Sequence, residues 1–250
     1  MDTLSEEQEY LRYKNEYVID VNKPYIIRLD GRKFSKLNKC CLSPDKKKPY
    51  DDLFEQTMKL TIRDILSKFK ELNCLTAYTF SDEISLVCYP KTIPLDVADD
   101  NPYHHTFFGG RVFKLISVVS GYTSVRFNIN LYNLFTPAED HYLHYNKICT
   151  FEHHFDARIF NVDAPTDVLS YLAARYNYCQ YNSIFMSGRC YYSHKELEGK
   201  PLTVIIDLIS DKGVNYTTFS KHFRNGTLIS SLFTINDVIN KFISLRKCDS

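Results

Sequence analysis

The chain has 250 residues, 31 basic against 30 acidic side chains, and 44% hydrophobic residues. That is globular composition with ample length for a core, so disorder, collagen and coiled coil are excluded for its bulk. A net charge of +1 leaves any nucleic-acid site to a local patch, and no apolar run is long enough to cross a bilayer.

The opening residues carry Asp2, Glu6, Glu7 and Glu9 and no cation, unlike a signal or transit peptide, which predicts a cytoplasmic protein. Eight cysteines lack CxxC spacing and read as reduced, mostly buried thiols. Tyr25–Asp30 reads as a strand. A loop from Gly31 to Pro49 follows, with seven basic residues against the single acid Asp45. Asp51 or Asp52 caps a helix with the stripe Phe54, Met58, Ile62, Ile65 and Phe69. Strands are predicted over Ala77–Ser81 and Ile84–Tyr89, with Asp82 and Glu83 as the turn between them. Gly109 and Gly110 open a second helix bearing Val112, Leu115, Ile116 and Val119, and a strand follows over Ala157–Val162. The order β-α-β-β-α-β is that of the split ferredoxin-like unit. Beyond Pro165 a helix carries Val168, Leu169, Leu172 and Tyr176. Another helix carries Val204, Ile205, Leu208 and Ile209 and stops at Gly213, and a last strand runs Thr227–Phe233. The expected fold is α+β: a βαββαβ palm over 20–165 and a mainly helical C-terminal subdomain over 166–250, packed as one unit.

In such a sheet the first and third strands are central and antiparallel. The exit of one, at Asp30, therefore lies beside the entrance of the other, at Asp82 and Glu83. Carboxylates so close repel unless cations sit between them. Oxygen donors of this kind suit Mg²⁺, and two such ions serve phosphoryl or nucleotidyl transfer. Asp-Glu also departs from the Asn-Gly or Asp-Gly preference of a two-residue hairpin, a local rule broken where function is often found.

Six segments in colinear order carry a resemblance: Arg28-Leu29-Asp30-Gly31-Arg32 with Phe34; Lys48-Pro49-Tyr50-Asp51; Ser81-Asp82-Glu83-Ile84-Ser85; Phe107–Val112 with Lys114; Phe155–Arg158; and Gly213–Tyr216 followed by Phe223–Thr227. Together they resemble the tRNA-histidine guanylyltransferase superfamily, and most closely its guanylyltransferase-like branch of 3′–5′ polymerases. The resemblance implies a polymerase-like palm that adds nucleotides to the 5′ end of tRNA, with ATP or GTP activating the end and nucleoside triphosphates as substrates. It implies Asp30, Asp82 and Glu83 as catalytic carboxylates, and Asp30, Asp82 and the Gly31 carbonyl as ligands of two Mg²⁺ ions. It also implies a homotetramer. Arg32, Lys48, Asp51, Ser81, Arg111 and Lys114 are the expected nucleotide contacts. Arg111 and Lys114 would share one helix face at a helix N-terminus whose bare N–H groups suit phosphate. A helix N-cap would place Asp at position 51 regardless. Lys46, Lys47, Arg175, Asn182, Asn215, Lys221 and Arg224 are the expected RNA contacts, with His222 beside the last two in a basic patch. His141, His144, His153 and His154 have no ligand spacing and read as structural.

The resemblance has departures. Gln180 stands where the tRNA-His enzymes carry histidine, their nearby tryptophan is absent, and Val204 takes a lysine position. These losses favour templated repair or editing of truncated 5′ ends over the alternative, addition of a single G to tRNA-His. Two further readings share this sheet. An RRM-like RNA-binding module would need aromatic residues on its third strand, which Ile84–Tyr89 does not present as that motif. A nucleotidyl cyclase would need no RNA.

Overall fold

A computed structural model describes residues 17–34, 49–91, 103–134 and 150–248 of the chain. Five strands form one sheet in the order β4-β1-β3-β2-β5, every neighbouring pair antiparallel. They are β1 (Tyr25–Gly31), β2 (Cys74–Phe80), β3 (Glu83–Cys88), β4 (Phe155–Asn161) and β5 (Thr227–Ser230). The expected β-α-β-β-α-β unit is present, with helices α1 (Asp52–Lys68) and α2 (Val112–Leu134) as its two crossovers.

Asp51 is the cap of α1: its Oδ1 accepts from the N–H groups of Leu53 at 2.8 Å and Phe54 at 3.0 Å. Asp52 is therefore the first helical residue, beside Glu55 in an acidic first turn that suits the positive helix end. The predicted stripe is buried, with Met58 and Ile62 fully so. It meets Tyr25, Ile27 and Leu29 of β1, Ala77 of β2, Ile84, Leu86 and Cys88 of β3, and Leu115, Val119 and Phe127 of α2. Each such side chain contributes about 1.5–3 kcal/mol of burial.

Strand pleating sends the alternate residues to the other face. There Ile26, Tyr78, Phe80 and Val87 pack against α3 (Pro165–Arg189) and α7 (Ile235–Cys248) through Val168, Leu172, Tyr176, Cys179 and Val238. The far half of α3 carries a third cluster with the one-turn α4 (His194–Leu197) and α5 (Leu202–Ser210), built on Ile184, Leu197, Ile205 and Ile209. Gly213 reverses the chain just beyond α5, where Val214 N–H donates to Ile209 O. The short α6 (Lys221–Asn225) then leads into β5.

Four local expectations change. The β2–β3 turn is Ser81-Asp82, and Glu83 already belongs to β3, opposite Phe80. Gly109 and Gly110 do not open α2: with Phe107 and Phe108 they form a preceding 3₁₀ turn in which residues 108–110 take left-handed backbone. The final strand ends at Ser230, whose Oγ accepts from Leu232 and Phe233 N–H and turns the chain out of the sheet. After it comes α7, a helix absent from the expected elements. Its start is a reciprocal cap between Thr234 and Asp237, above a stripe of Ile235, Val238, Ile239 and Phe242. Cys74, Cys88, Cys179 and Cys190 are free thiols, and Cys88 and Cys179 are buried.

Candidate active site

Asp30, next to last in β1, has two carboxylates as its direct cross-strand partners, Glu83 on β3 and Asp156 on β4. Gly31 N–H donates to Asp82 O at 3.0 Å, so the β2–β3 turn is fastened to the exit of β1. Gly31 cannot be replaced: a Cβ there would lie 2.6 Å from the Phe34 ring. Ser81 holds the turn with φ of 49°, an unusual backbone for a residue with a side chain, and its Oγ donates to Asp82 Oδ1 at 3.1 Å.

Burial, and after it the neighbouring Asp156, pushes the Asp30 carboxyl above the usual range, while Arg28, Arg158 and Arg175 pull it back. Burial and then Asp30 push Asp82 up as well. Glu83 is raised by burial and held back chiefly by Arg175. Asp30 beside Asp156, and Asp82 beside Asp30, are carboxylates whose repulsion a divalent cation would offset. Asp30, Asp82 and the Gly31 carbonyl are hard oxygen donors, the chemistry Mg²⁺ takes.

Arg175 is brought here by α3, and it meets Glu83. Its Nε donates to Glu83 Oε1 at 2.8 Å and its Nη2 to Oε2, a fork that occupies both oxygens of the carboxylate. The two side chains are 16% and 10% exposed. The guanidinium also lies 4.7 Å from the Tyr178 ring centre and 5.4 Å from that of Phe80. One turn back, Tyr171 and Ser85 share a hydroxyl hydrogen bond of 2.8 Å. Arg28 and Arg158 are direct cross-strand partners on the same face and make no hydrogen bond or ion pair among the described residues. The site reading from sequence missed Arg28, Asp156 and Arg158, although Arg28-x-Asp30 and Asp156-x-Arg158 put all four charges on one face by their period of two.

Other expected contacts separate. Arg32 is exposed, and its backbone N–H donates to His154 O at 3.0 Å. Arg111 folds its Nε back to Phe108 O at 3.1 Å, and Lys114 is exposed in the first turn of α2. The N-terminus of α2 is not bare: Val112 N–H donates to Tyr17 O and Arg111 N–H to Phe108 O. Asn182 is half-buried on α3. Asn215 Oδ1 caps the 3₁₀ turn Tyr216–Thr218 by accepting from Thr217 N–H at 3.0 Å. Lys221 is exposed, His222 is buried against Thr227, and Arg224 Nε donates to Phe219 O, so these three do not form one cationic patch. Gln180 uses its amide as a brace, donating to Arg224 O and to Asn225 Oδ1 at 3.0 Å. Val204 is 39% exposed. Lys46, Lys47 and Lys48, with His141 and His144, lie outside the described residues.

The structure is thus an antiparallel β-α-β-β-α-β palm with carboxylates gathered at the exit of its first strand. The profile of the family described as tRNAHis guanylyltransferase matches residues 8–163, and the chain belongs to that family. An uncharacterised protein of Acanthamoeba polyphaga mimivirus is 42% identical over 115 residues, a match spanning 46% of this chain and 36% of that protein. Among solved structures, a bacterial tRNA(His) guanylyltransferase-like protein in complex with ATP superposes with TM-score 0.70 at 21% identity, over 91% of this chain and 89% of the other. The tRNA(His) guanylyltransferase of Saccharomyces cerevisiae gives 0.67 at 21%, over 88% and 91%. A bacterial guanylyltransferase-like protein in complex with GTP gives 0.63 at 18%, over 97% and 96%. At these identities the superpositions establish the shared fold.

Proposed function

We propose that this chain adds nucleotides to the 5′ end of tRNA in the 3′–5′ direction, and that the opposite RNA strand templates the choice. The observation that carries the chemistry is the Asp30–Asp82 pair, held together by the Gly31–Asp82 backbone bond. Asp30, Asp82 and the Gly31 carbonyl would hold two Mg²⁺ ions, which when bound lower the pKa of an attacking hydroxyl and neutralise phosphate charge. In the transfer, the 3′-hydroxyl of the incoming nucleotide attacks the 5′ phosphorus of the activated RNA. A P–O bond forms to that hydroxyl, and the bond to the leaving AMP, GMP or pyrophosphate breaks. Asp30 and Asp82 orient the reacting oxygens. Glu83, with both oxygens on Arg175, positions the entrance of β3 rather than reaching the phosphate. Arg28 and Arg158, whose side chains have no ion pair among the described residues, can take charge from the phosphates.

The template reading rests on Gln180, which is spent bracing α6, on Val204, and on the missing tryptophan. It extends to the family-implied homotetramer, a cytoplasmic setting, and a palm of 20–165 that acts together with 166–250. A non-catalytic RRM-like role is disfavoured because α3 and α7 cover the sheet face on which such modules stack bases. The test supplies Mg²⁺ and labelled nucleoside triphosphates with two tRNA sets, intact tRNA-His and tRNAs lacking their first 5′ nucleotides. Filling of the truncated ends with the complementary nucleotide is expected. A single untemplated G, on tRNA-His alone, would return the chain to the guanylyltransferase reading, and a cyclic nucleotide made without RNA would make it a cyclase.

A further inference from the structure

The outward face of α3 carries aromatic side chains at the spacing of one helical stripe. Tyr178, Tyr181 and Phe185 stand at i, i+3 and i+7. Tyr178 is 49% and Tyr181 47% exposed, large values for rings in a helix that otherwise buries its apolar residues. Tyr181 and Phe185 lie with their rings nearly parallel, 11° apart, at 5.7 Å between centres. The stripe is continuous with the carboxylate edge, because Arg175 grips Glu83 on one side and covers the Tyr178 ring on the other. Neither tyrosine hydroxyl has a hydrogen bond among the described residues.

Such a row does not by itself make an interface between proteins. Two half-exposed tyrosines offer roughly one ring's worth of area, about 150–250 Å², where a stable contact needs about 800 Å² per partner. It is well shaped for unpaired bases, which stack on exposed aromatic rings whatever their identity. From Arg175 to Phe185 the helix rises about 15 Å, room for roughly four stacked nucleotides at about 3.4 Å each.

We infer that Tyr178 and Tyr181 form a stacking platform for the unpaired bases of the RNA strand opposite the 5′ end being extended. This rests on the templated reading above. A truncated 5′ end leaves those opposite bases without partners, and a template strand must be held splayed and in register while each incoming nucleotide is tested against it. Stacking holds a base without reading its identity, so pairing with the incoming nucleotide remains free to decide.

The chain has no tryptophan, so Tyr181→Trp creates a single fluorescent reporter on the platform. Without nucleoside triphosphates or Mg²⁺, its emission should be quenched by a tRNA lacking its first 5′ nucleotides. A version abasic at the unpaired positions should bind about tenfold more weakly, the order of one lost base–aromatic stack. In parallel, Tyr178→Ala should raise the KM for truncated tRNA about tenfold with little change in kcat. Equal quenching by the abasic strand, or a spectral change that follows protein concentration without RNA, would overturn the inference. The binding readout needs no catalysis. Quenching by unpaired bases in a protein that adds no nucleotide would leave the platform standing while the templated-transfer reading fell.

Discussion

Replacing Arg175 tests whether this arginine serves the protein or the RNA. Arg175→Met removes both bonds of the fork to Glu83 and leaves that carboxylate, itself only 10% exposed, with the weaker pull of Arg28 as its remaining counter-charge. Breaking a buried pair in this way costs about 3–5 kcal/mol, and loss of the contact over the Tyr178 and Phe80 rings adds about 0.5–2 kcal/mol. With a urea m-value of about 3 kcal/mol per molar, the unfolding midpoint should fall by about 1 M or more. The charge, not the volume, is the cause, so Glu83→Gln in the Arg175→Met background should recover most of the loss. The pair of single variants and the double variant form a cycle with a coupling of about 2 kcal/mol or more. Urea unfolding followed by circular dichroism reads each corner. A midpoint for Arg175→Met within about 0.2 M of wild type, with RNA affinity lowered and its salt slope reduced by about one, would refute this account. Arg175 would then be the RNA contact that its place in the sequence suggests.

Asp30→Asn and Asp82→Asn should each lower nucleotide addition by about 10²–10³-fold or more, and the double variant little further, because the two act on one site; both should unfold no earlier than wild type, since each removes a charge that burial disfavours. Near-normal turnover by either would remove the carboxylate pair from the mechanism. His222 is buried, which pushes its pKa down from 6.5 to about 4. The unfolded chain therefore binds the proton first, and the stabilisation is complete above pH 6.5 and lost as pH falls toward 4. About 2 kcal/mol should disappear between pH 7 and pH 5, and His222→Gln should flatten that slope in urea titrations at the two pH values. Gly226→Ala should cost about 2–4 kcal/mol, because its Cβ would meet the buried Tyr78 hydroxyl at 2.5 Å on a backbone with φ of 71°. An unchanged unfolding temperature would contradict that packing.

Periodic features were legible. The stripe from Phe54 to Phe69 faces the core as its period implies, and the antiparallel neighbour rule alone places Asp30 beside the β2–β3 turn. The turn itself was misread by one residue, because Ser81 adopts a backbone that sequence favours only for Gly or Asn, so Glu83 moved from turn to strand. The Arg175–Glu83 fork was not legible because its partners stand 92 positions apart, and no local pattern reports which of several arginines will meet a buried carboxylate. The Gly109-Gly110 pair suggested a phosphate-binding helix start. The chain instead uses the carbonyls of the neighbouring Phe108 and of Tyr17, distant in sequence, to occupy N–H groups there. The last helix is signalled by Thr234, Asp237 and the apolar residues after them, a reciprocal cap ahead of a helical stripe.

The outer edge of β2 is closed by β5, with Thr76 opposite Ser230 and a hydroxyl bond of 2.7 Å between them across 154 positions. During synthesis at about 5–20 residues per second, the ribosome completes β1, β2, β3 and β4 well before it reaches residue 230. For that interval the growing chain exposes a strand edge of unpaired N–H and C=O groups, the kind that pairs indiscriminately with other strands. Release of a fully formed palm therefore waits on the last quarter of the chain, and a nascent chain stalled short of residue 230 is a candidate for holding by chaperones.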